Sequence, residues 1–374
     1  MGPGWKVGRL AGIELAIHPS LLVIAFIVTL SLAFQLTAQF PRWPDAIHWT
    51  LAALTAGLFF ASVLAHELSH ALVATRFGLK VDGITLFIFG GVTTIDEDSR
   101  TPRQEALIAL AGPLTSIAIG GLLLLVNVAI SQPQVGAVLG WLGFINVMLG
   151  LFNLIPGFPM DGGRVLRAIL WRFRGDRLVA TRNAAHVGRA FAYLLIGFGV
   201  FVTLQSRGSI IGGIWLALIG WFLSNAAEAT LAQTGVERSL TGVRVRDAME
   251  ASPPSVSPNE LVTELVNDRL LRGADRSFLV RHDDGGLAGL VTLGDVRRLP
   301  REQWAGARVT DIMTRYPDLA TIGPEVPLVD ALRTLQDHEV GQLPVVEDDG
   351  RKPVGLVTRQ GILRLLEARM KLGL

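Results

Sequence analysis

Three ionisable residues stand close together in an apolar part of the chain. His66-Glu67-Leu68-Ser69-His70 places two histidines four residues apart with a carboxylate between them. On a helix, residues four apart share one face, so both imidazoles can reach one metal ion. Glu67, beside them, can take a proton from an attacking water. Ionisable side chains inside an apolar span are costly and mark functional sites by default. The competing reading is a polar seam that packs helices together. Two ligands are too few for catalytic zinc, which takes three protein ligands and keeps one position open. No third His or Glu follows closely on the same helix. The best candidate is Asp161, about ninety residues on, in the run from Asn153 to Gly163. Pro156 and Pro159 break the helix there. Gly162 and Gly163 permit tight turns beside the carboxylate. Taken alone, Asp161 could also be a helix cap. Asn153 could serve a developing oxyanion or a scissile carbonyl, or could form an interhelical hydrogen bond.

The elements that must position these residues follow from hydropathy. The chain has 374 residues, half of them hydrophobic, and a mean hydropathy of +0.44. A span needs about 20 mainly apolar residues. Six stretches qualify, at roughly 20–38, 50–74, 106–130, 137–156, 187–205 and 210–230. The first is expected to be retained, because no compact signal pattern with a cleavage site accompanies Lys6 and Arg9. Basic residues cluster before span one, between spans two and three, and between spans four and five. Arg42 and Arg207 are the basic residues near the spans in the opposite loops. That bias puts both termini in the cytoplasm. The segment Val81–Ile95 is rich in Val, Ile, Thr and Phe and reads as a strand or hairpin. It is expected to be an edge that pairs with an extended substrate, or else an amphipathic loop. Lipid cannot satisfy a strand edge, so protein or the interface must shield it.

Cysteine is absent, which excludes a disulfide scaffold and thiolate metal sites. A net charge of +2 gives no reason to expect nucleic acid as a partner.

HExxH in the second span, together with NxxPxxPxDGGR after the fourth, resembles the site-2 protease family of intramembrane zinc metalloproteases over residues 10–230. The resemblance implies a zinc metalloendopeptidase with one Zn2+ per chain, His66, His70 and Asp161 as ligands and Glu67 as general base. It implies that Asn153 holds substrate or stabilises the intermediate. Ala111-Gly112-Pro113 and His18-Pro19 also match patterns of that family, the former as packing close to the active site. Substrates would be single-span or membrane-associated proteins. The rival readings are a nucleotide-sensing membrane scaffold or transporter subunit in which HExxH is structural, and a hydrolase of small molecules.

After residue 243 the chain repeats itself. Val245–Met249 recurs as Val309–Met313, 64 residues later, and Gly289–Val296 as Gly355–Ile362. Each copy reads as a helix (Leu261–Leu271, Val329–His338) followed by a strand (Phe278–Val280, Leu343–Val346). Small αβ units repeated twice suggest a pseudo-symmetric pair. The pair resembles tandem CBS domains. That resemblance implies clefts for an adenine nucleotide (ATP, ADP or AMP), with Thr292 and Asp295 in the first copy and Thr358 in the second on phosphate and ribose. Gly361 stands where the second Asp would be. A purely dimerising module is the alternative, and the paired modules favour a homodimer.

The expected architecture is therefore a multi-pass α-helical membrane protein with about six transmembrane helices, a short membrane-associated β segment and a cytoplasmic α/β tandem CBS module. Its parts are 1–232 for the membrane domain, 233–242 for a linker, and 243–300 and 307–371 for the two repeats. The cell membrane is the expected location, with the CBS pair cytoplasmic.

Overall fold

The computed structural model describes residues 4–88, 90–95, 99–205, 210–273, 275–347 and 352–372. Phe89 of the expected strand segment and Arg207 lie outside them. The chain divides into two compact units, Met1–Thr234 and Gly235–Leu374.

Among the described residues, six helices are long and apolar enough to cross a membrane. They are α1 (Ser20–Gln39), α2 (Asp45–Arg76), α3 (Pro102–Val128), α4 (Pro133–Asn153), α6 (Arg177–Gln205) and α7 (Ile210–Leu240), with the shorter α5 (Asp161–Arg174) between the fourth and fifth spans. The starts follow local chemistry. Thr101 caps α3 by accepting from the Gln104 N–H, and Pro102 follows at the first helical position, where its missing N–H costs nothing. Gly175 ends α5 in the left-handed conformation, which glycine adopts without a Cβ penalty. The expected span four ran to residue 156; the helix stops at Asn153, ahead of Pro156, since a residue before proline is steered out of the helical region.

The β segment is larger than expected. Four strands pair in the order β1 (Trp5–Leu10), β2 (Ile13–Ile17), β3 (Val81–Phe87), β4 (Gly90–Ile95). The β1–β2 hairpin turns through Ala11 and Gly12, both at positive φ, the arrangement that matches the twist of paired strands. β2 runs parallel to β3, and β3 antiparallel to β4. Ile13 and Ile84 from this sheet bury themselves against Ala71 of α2. The sheet is thus shielded by protein on the face toward α2, and β1 and β4 are its edges.

The second unit is built from the two repeats. In the first, β6 (Ser277–Arg281) and β7 (Leu287–Thr292) form a hairpin; in the second, β9 (Gln342–Val346) and β10 (Pro353–Thr358) do the same. β5 (Ser255–Val256) runs parallel to β6, and Ile322 bridges Val345 in the same sense. The copies exchange their openings. β8 (Thr314–Arg315), after the second opening, pairs with β7 of the first copy, while Glu250, after the first opening, pairs with Leu356 of the second. The helix expected over Leu261–Leu271 is a short α-helical turn, Val262–Glu264, followed by one wide turn, Leu265–Leu270; its counterpart is a regular helix, Leu328–Asp337. The stretch expected as a linker, 233–242, continues α7 through Leu240. Leu240 is buried in the core of the second unit, with Val236 packed on it, and Gly242 turns the chain at positive φ.

Candidate metal centre and catalytic site

His66 and His70 lie on one face of α2, and both are buried. Asp161 is the first residue of α5. Its carboxylate makes no cap bond; Met160 occupies the cap position, and Asp161 Oδ2 instead lies 3.2 Å from Nε2 of each histidine. One ligand atom from each of the three lies within 4.8 Å of the other two. Tetrahedral zinc with bonds of about 2.0–2.2 Å separates its ligand atoms by about 3.3 Å. The donor set therefore fits.

The hydrogen bonds around the imidazoles make the same point. His70 Nδ1 lies 2.7 Å from the Ile108 carbonyl, which can only accept. The proton is therefore on Nδ1, and a neutral His70 turns its Nε2 lone pair toward the Asp161 carboxylate. Lone pair facing lone pair needs a cation between them, a metal or a second ring proton. His66 Nδ1 is held by Ser116 Oγ at 2.9 Å. Burial alone would raise the Asp161 carboxyl; with the imidazoles protonated, their hydrogen bonds and charge outweigh burial and hold it well below the usual carboxylate range.

Both orienting groups come from α3, on the face that also carries Gly112. A Cβ at 112 would sit 2.2 Å from His70 Nε2 and 2.5 Å from His66 Nε2. Only glycine lets the helix come this close to the two nitrogens. Pro113 follows in the helix and leaves the Ala109 carbonyl without its usual N–H donor.

Glu67 sits on the adjacent face of α2, half-buried beneath β4. Thr93 Oγ1 donates to its carboxylate at 2.8 Å and lies 3.2 Å from its backbone carbonyl. A Cβ at Gly91 would lie 2.3 Å from Glu67 Cγ, so β4 crosses the carboxylate at a glycine. The strand expected on composition is thus part of the site. Gly162 and Gly163, expected to relieve turns, are helical. Their Cβ atoms would meet the Leu154–Ile155 carbonyls and the Gly157 backbone, so their role is close approach of the loop to α5.

Asn153 ends α4, and its amide donates to the Leu149 carbonyl of its own helix at 3.0 Å. His18 follows β2 and contacts Ser20, whose hydroxyl accepts from the Ile88 N–H. In the second unit, Thr292 and Asp295 close a capping box on each other at the start of Leu293–Arg298. Thr358 Oγ1 accepts from Gly361 N–H at the equivalent place. Sequence reasoning missed Ser116, the Ile108 carbonyl, Thr93 and a buried Glu105–Arg167 pair. Glu105 at least carried a signal, being a carboxylate close to the start of an apolar span.

A histidine–histidine–carboxylate donor set beside a held glutamate, among helices apolar enough to cross a bilayer, defines a membrane-embedded metalloprotease. The chain belongs to peptidase family M50, the site-2 proteases. The sequence profile of Peptidase family M50 matches residues 54–135 and 119–197, and that of the CBS domain matches residues 245–302 and 309–368. Rip3 of Mycobacterium tuberculosis is 37% identical over 365 residues, 96% of this chain and 92% of that one. The sll0528 protein of Synechocystis is 35% identical over 364 residues, 97% and 95% of the two chains. Both bear zinc metalloprotease names. The solved site-2 protease from Methanocaldococcus jannaschii is 33% identical, covering 61% of this chain and 95% of that chain with a TM-score of 0.42. The protein is a zinc metalloprotease of the intramembrane class with a tandem CBS module.

Proposed function

We propose that His66, His70 and Asp161 hold one zinc ion per chain and that Glu67 is the general base for cutting single-span or membrane-associated proteins within or near the bilayer. The observation that carries this is the convergence of three donor atoms within 4.8 Å beside Glu67. When bound, zinc supplies Lewis acidity to a water and to the scissile carbonyl. Glu67 takes the proton as the water oxygen attacks the carbonyl carbon, and passes it to the leaving amine as the carbon–nitrogen bond breaks. Thr93 keeps one carboxylate oxygen in register for both transfers. A substrate helix must unwind first, because its peptide bonds are otherwise engaged in the helix. The outer edge of β4 offers the unwound stretch a ladder of backbone groups above Glu67. An Asn153 amide turned from Leu149 would serve the developing oxyanion.

The basic clusters at Arg76–Arg103 and Arg164–Arg182 support a cytoplasmic side for both termini and for the CBS pair. Zinc per chain in purified protein, replete with zinc, tests the centre. About one is expected in wild type, with clear loss in Asp161→Ala. Full retention in that variant would remove Asp161 from the site, and none in wild type would favour a scaffold with a structural HExxH.

The CBS pair is the regulatory element in this reading, taking an adenine nucleotide and supporting a homodimer. The Asp295/Gly361 difference between copies points to one nucleotide per chain. Calorimetric titration with AMP, ADP and ATP is expected to show that stoichiometry and its loss in Asp295→Ala. No heat with any of the three would leave a dimerising module only.

A further inference from the structure

Four residues on one face of α3, spaced three, four and four apart, meet the two histidines and the helix that carries Asp161. Ile108 and Ser116 orient the two imidazoles, and Gly112 admits them. The remaining one, Glu105, lies in the first turn of α3 and is fully buried. Its Oε1 accepts from Arg167 Nε at 2.6 Å and also from Arg167 Nη2. Arg167 stands on α5, six residues beyond Asp161, and its guanidinium lies 5.2 Å from the centroid of the Phe158 ring. Phe158 belongs to the loop that delivers the chain to Asp161. One side chain thus ties together α3, α5 and that loop.

We propose that Glu105 and Arg167 are positioning residues that hold Asp161 against the two histidines. The proposal rests on the zinc-site reading above. A buried ion pair is weak evidence for stability, since apolar residues of similar volume often do as well or better. This one is not optimised for stability: both Arg167 groups converge on Oε1, and Glu105 Oε2 is buried with no hydrogen-bond partner among the described residues. What an apolar pair could not supply is direction. Two N–H groups of one rigid, planar guanidinium meeting a single oxygen fix orientation as well as distance. The histidines come from α2 and the carboxylate from α5, and these elements need a common reference. α3 is that reference for the histidines through Ile108 and Ser116, and for Asp161 through Glu105 and Arg167.

The test is zinc affinity of the purified full-length protein, by competition with a chelator, with thermal unfolding measured alongside. The variants are Glu105→Gln, Arg167→Lys and the double Glu105→Leu/Arg167→Met, which removes both charges and avoids an orphaned one. The double variant is expected to unfold near the wild-type temperature and to bind zinc about 10–100-fold more weakly, the usual cost of losing an orienting partner. Arg167→Lys, which keeps the charge and loses the fork, should fall between. Wild-type zinc affinity in a folded double variant would overturn the proposal. So would failure of both the double and the lysine variant to fold, which would assign the pair to folding alone. Wild-type protein that takes up no zinc would instead sink the zinc-site reading, and that arm reads out before any variant.

Discussion

Glu67→Gln is expected to bind zinc and substrate as wild type does and to lose cleavage by about 10²–10⁴-fold, the usual contribution of general acid–base catalysis. The amide is nearly isosteric with the carboxylate. Its carbonyl oxygen can still accept from Thr93 Oγ1, the bond that holds Glu67 at 2.8 Å. Packing beneath Gly91 is kept, because Cγ and Cδ remain in place. What the amide cannot do is take a proton from water. Neither imidazole is a substitute, since one nitrogen of each faces Asp161 and the other is held by α3. The assay is cleavage of a membrane-protein reporter in reconstituted vesicles, beside zinc content and substrate capture by crosslinking. Cleavage near the wild-type rate would remove Glu67 from the chemistry. Loss of zinc with loss of cleavage would make it a structural support of the metal centre instead. The intended outcome also gives a trap for substrates.

Gly112→Ala, a change of one methyl group, is expected to empty the metal centre. The new carbon would stand 2.2 Å from His70 Nε2 and 2.5 Å from His66 Nε2, the two atoms that face the Asp161 carboxylate. Relief by side-chain rotation is blocked. His70 is pinned through Nδ1 to the Ile108 carbonyl and His66 through Nδ1 to Ser116, both on α3 itself. The remaining response is to push α3 away from α2. That breaks the same bonds and draws Glu105 from Arg167. Zinc per chain should fall well below one, with cleavage lost in parallel and the protein still extractable as a folded species. Full zinc content and activity in Gly112→Ala would show that α3 does not approach the histidines as closely as described.

The residues that the structure brings together were legible because their types cannot hide. Two histidines and two carboxylates in apolar sequence are conspicuous, and their spacing fixes a helix face. What holds them was not legible. The Ile108 carbonyl is a backbone atom that any residue would provide. Ser116 is 50 residues from its histidine, and hydroxyls are common in membrane helices. Thr93 lay inside a segment whose strand character could be read, though not its contact with Glu67. The hairpin β1–β2 was passed over although the sequence carries its signal, a short alternating run broken by Ala11-Gly12. The apolar runs that follow are a far stronger pattern than this short one. In the second unit the repeat showed the two copies, but not the exchange of openings between them, because register between distant strands is set by tertiary packing.

The dependence of the site on α3 has a mechanical consequence. A bilayer is a fluctuating medium whose thickness and lateral pressure shift the helices embedded in it. Each imidazole is tethered to α3, and the carboxylate is tethered to it through Arg167. A displacement of that helix relative to α2 therefore loads the holds on all three donors at once. β4 is fastened to Glu67 on α2, and Ile95 at its end packs on the apolar cluster that contains Ile108 of α3. Strand and donors thus share the same two helices, and the cleft between them answers to the membrane as one body.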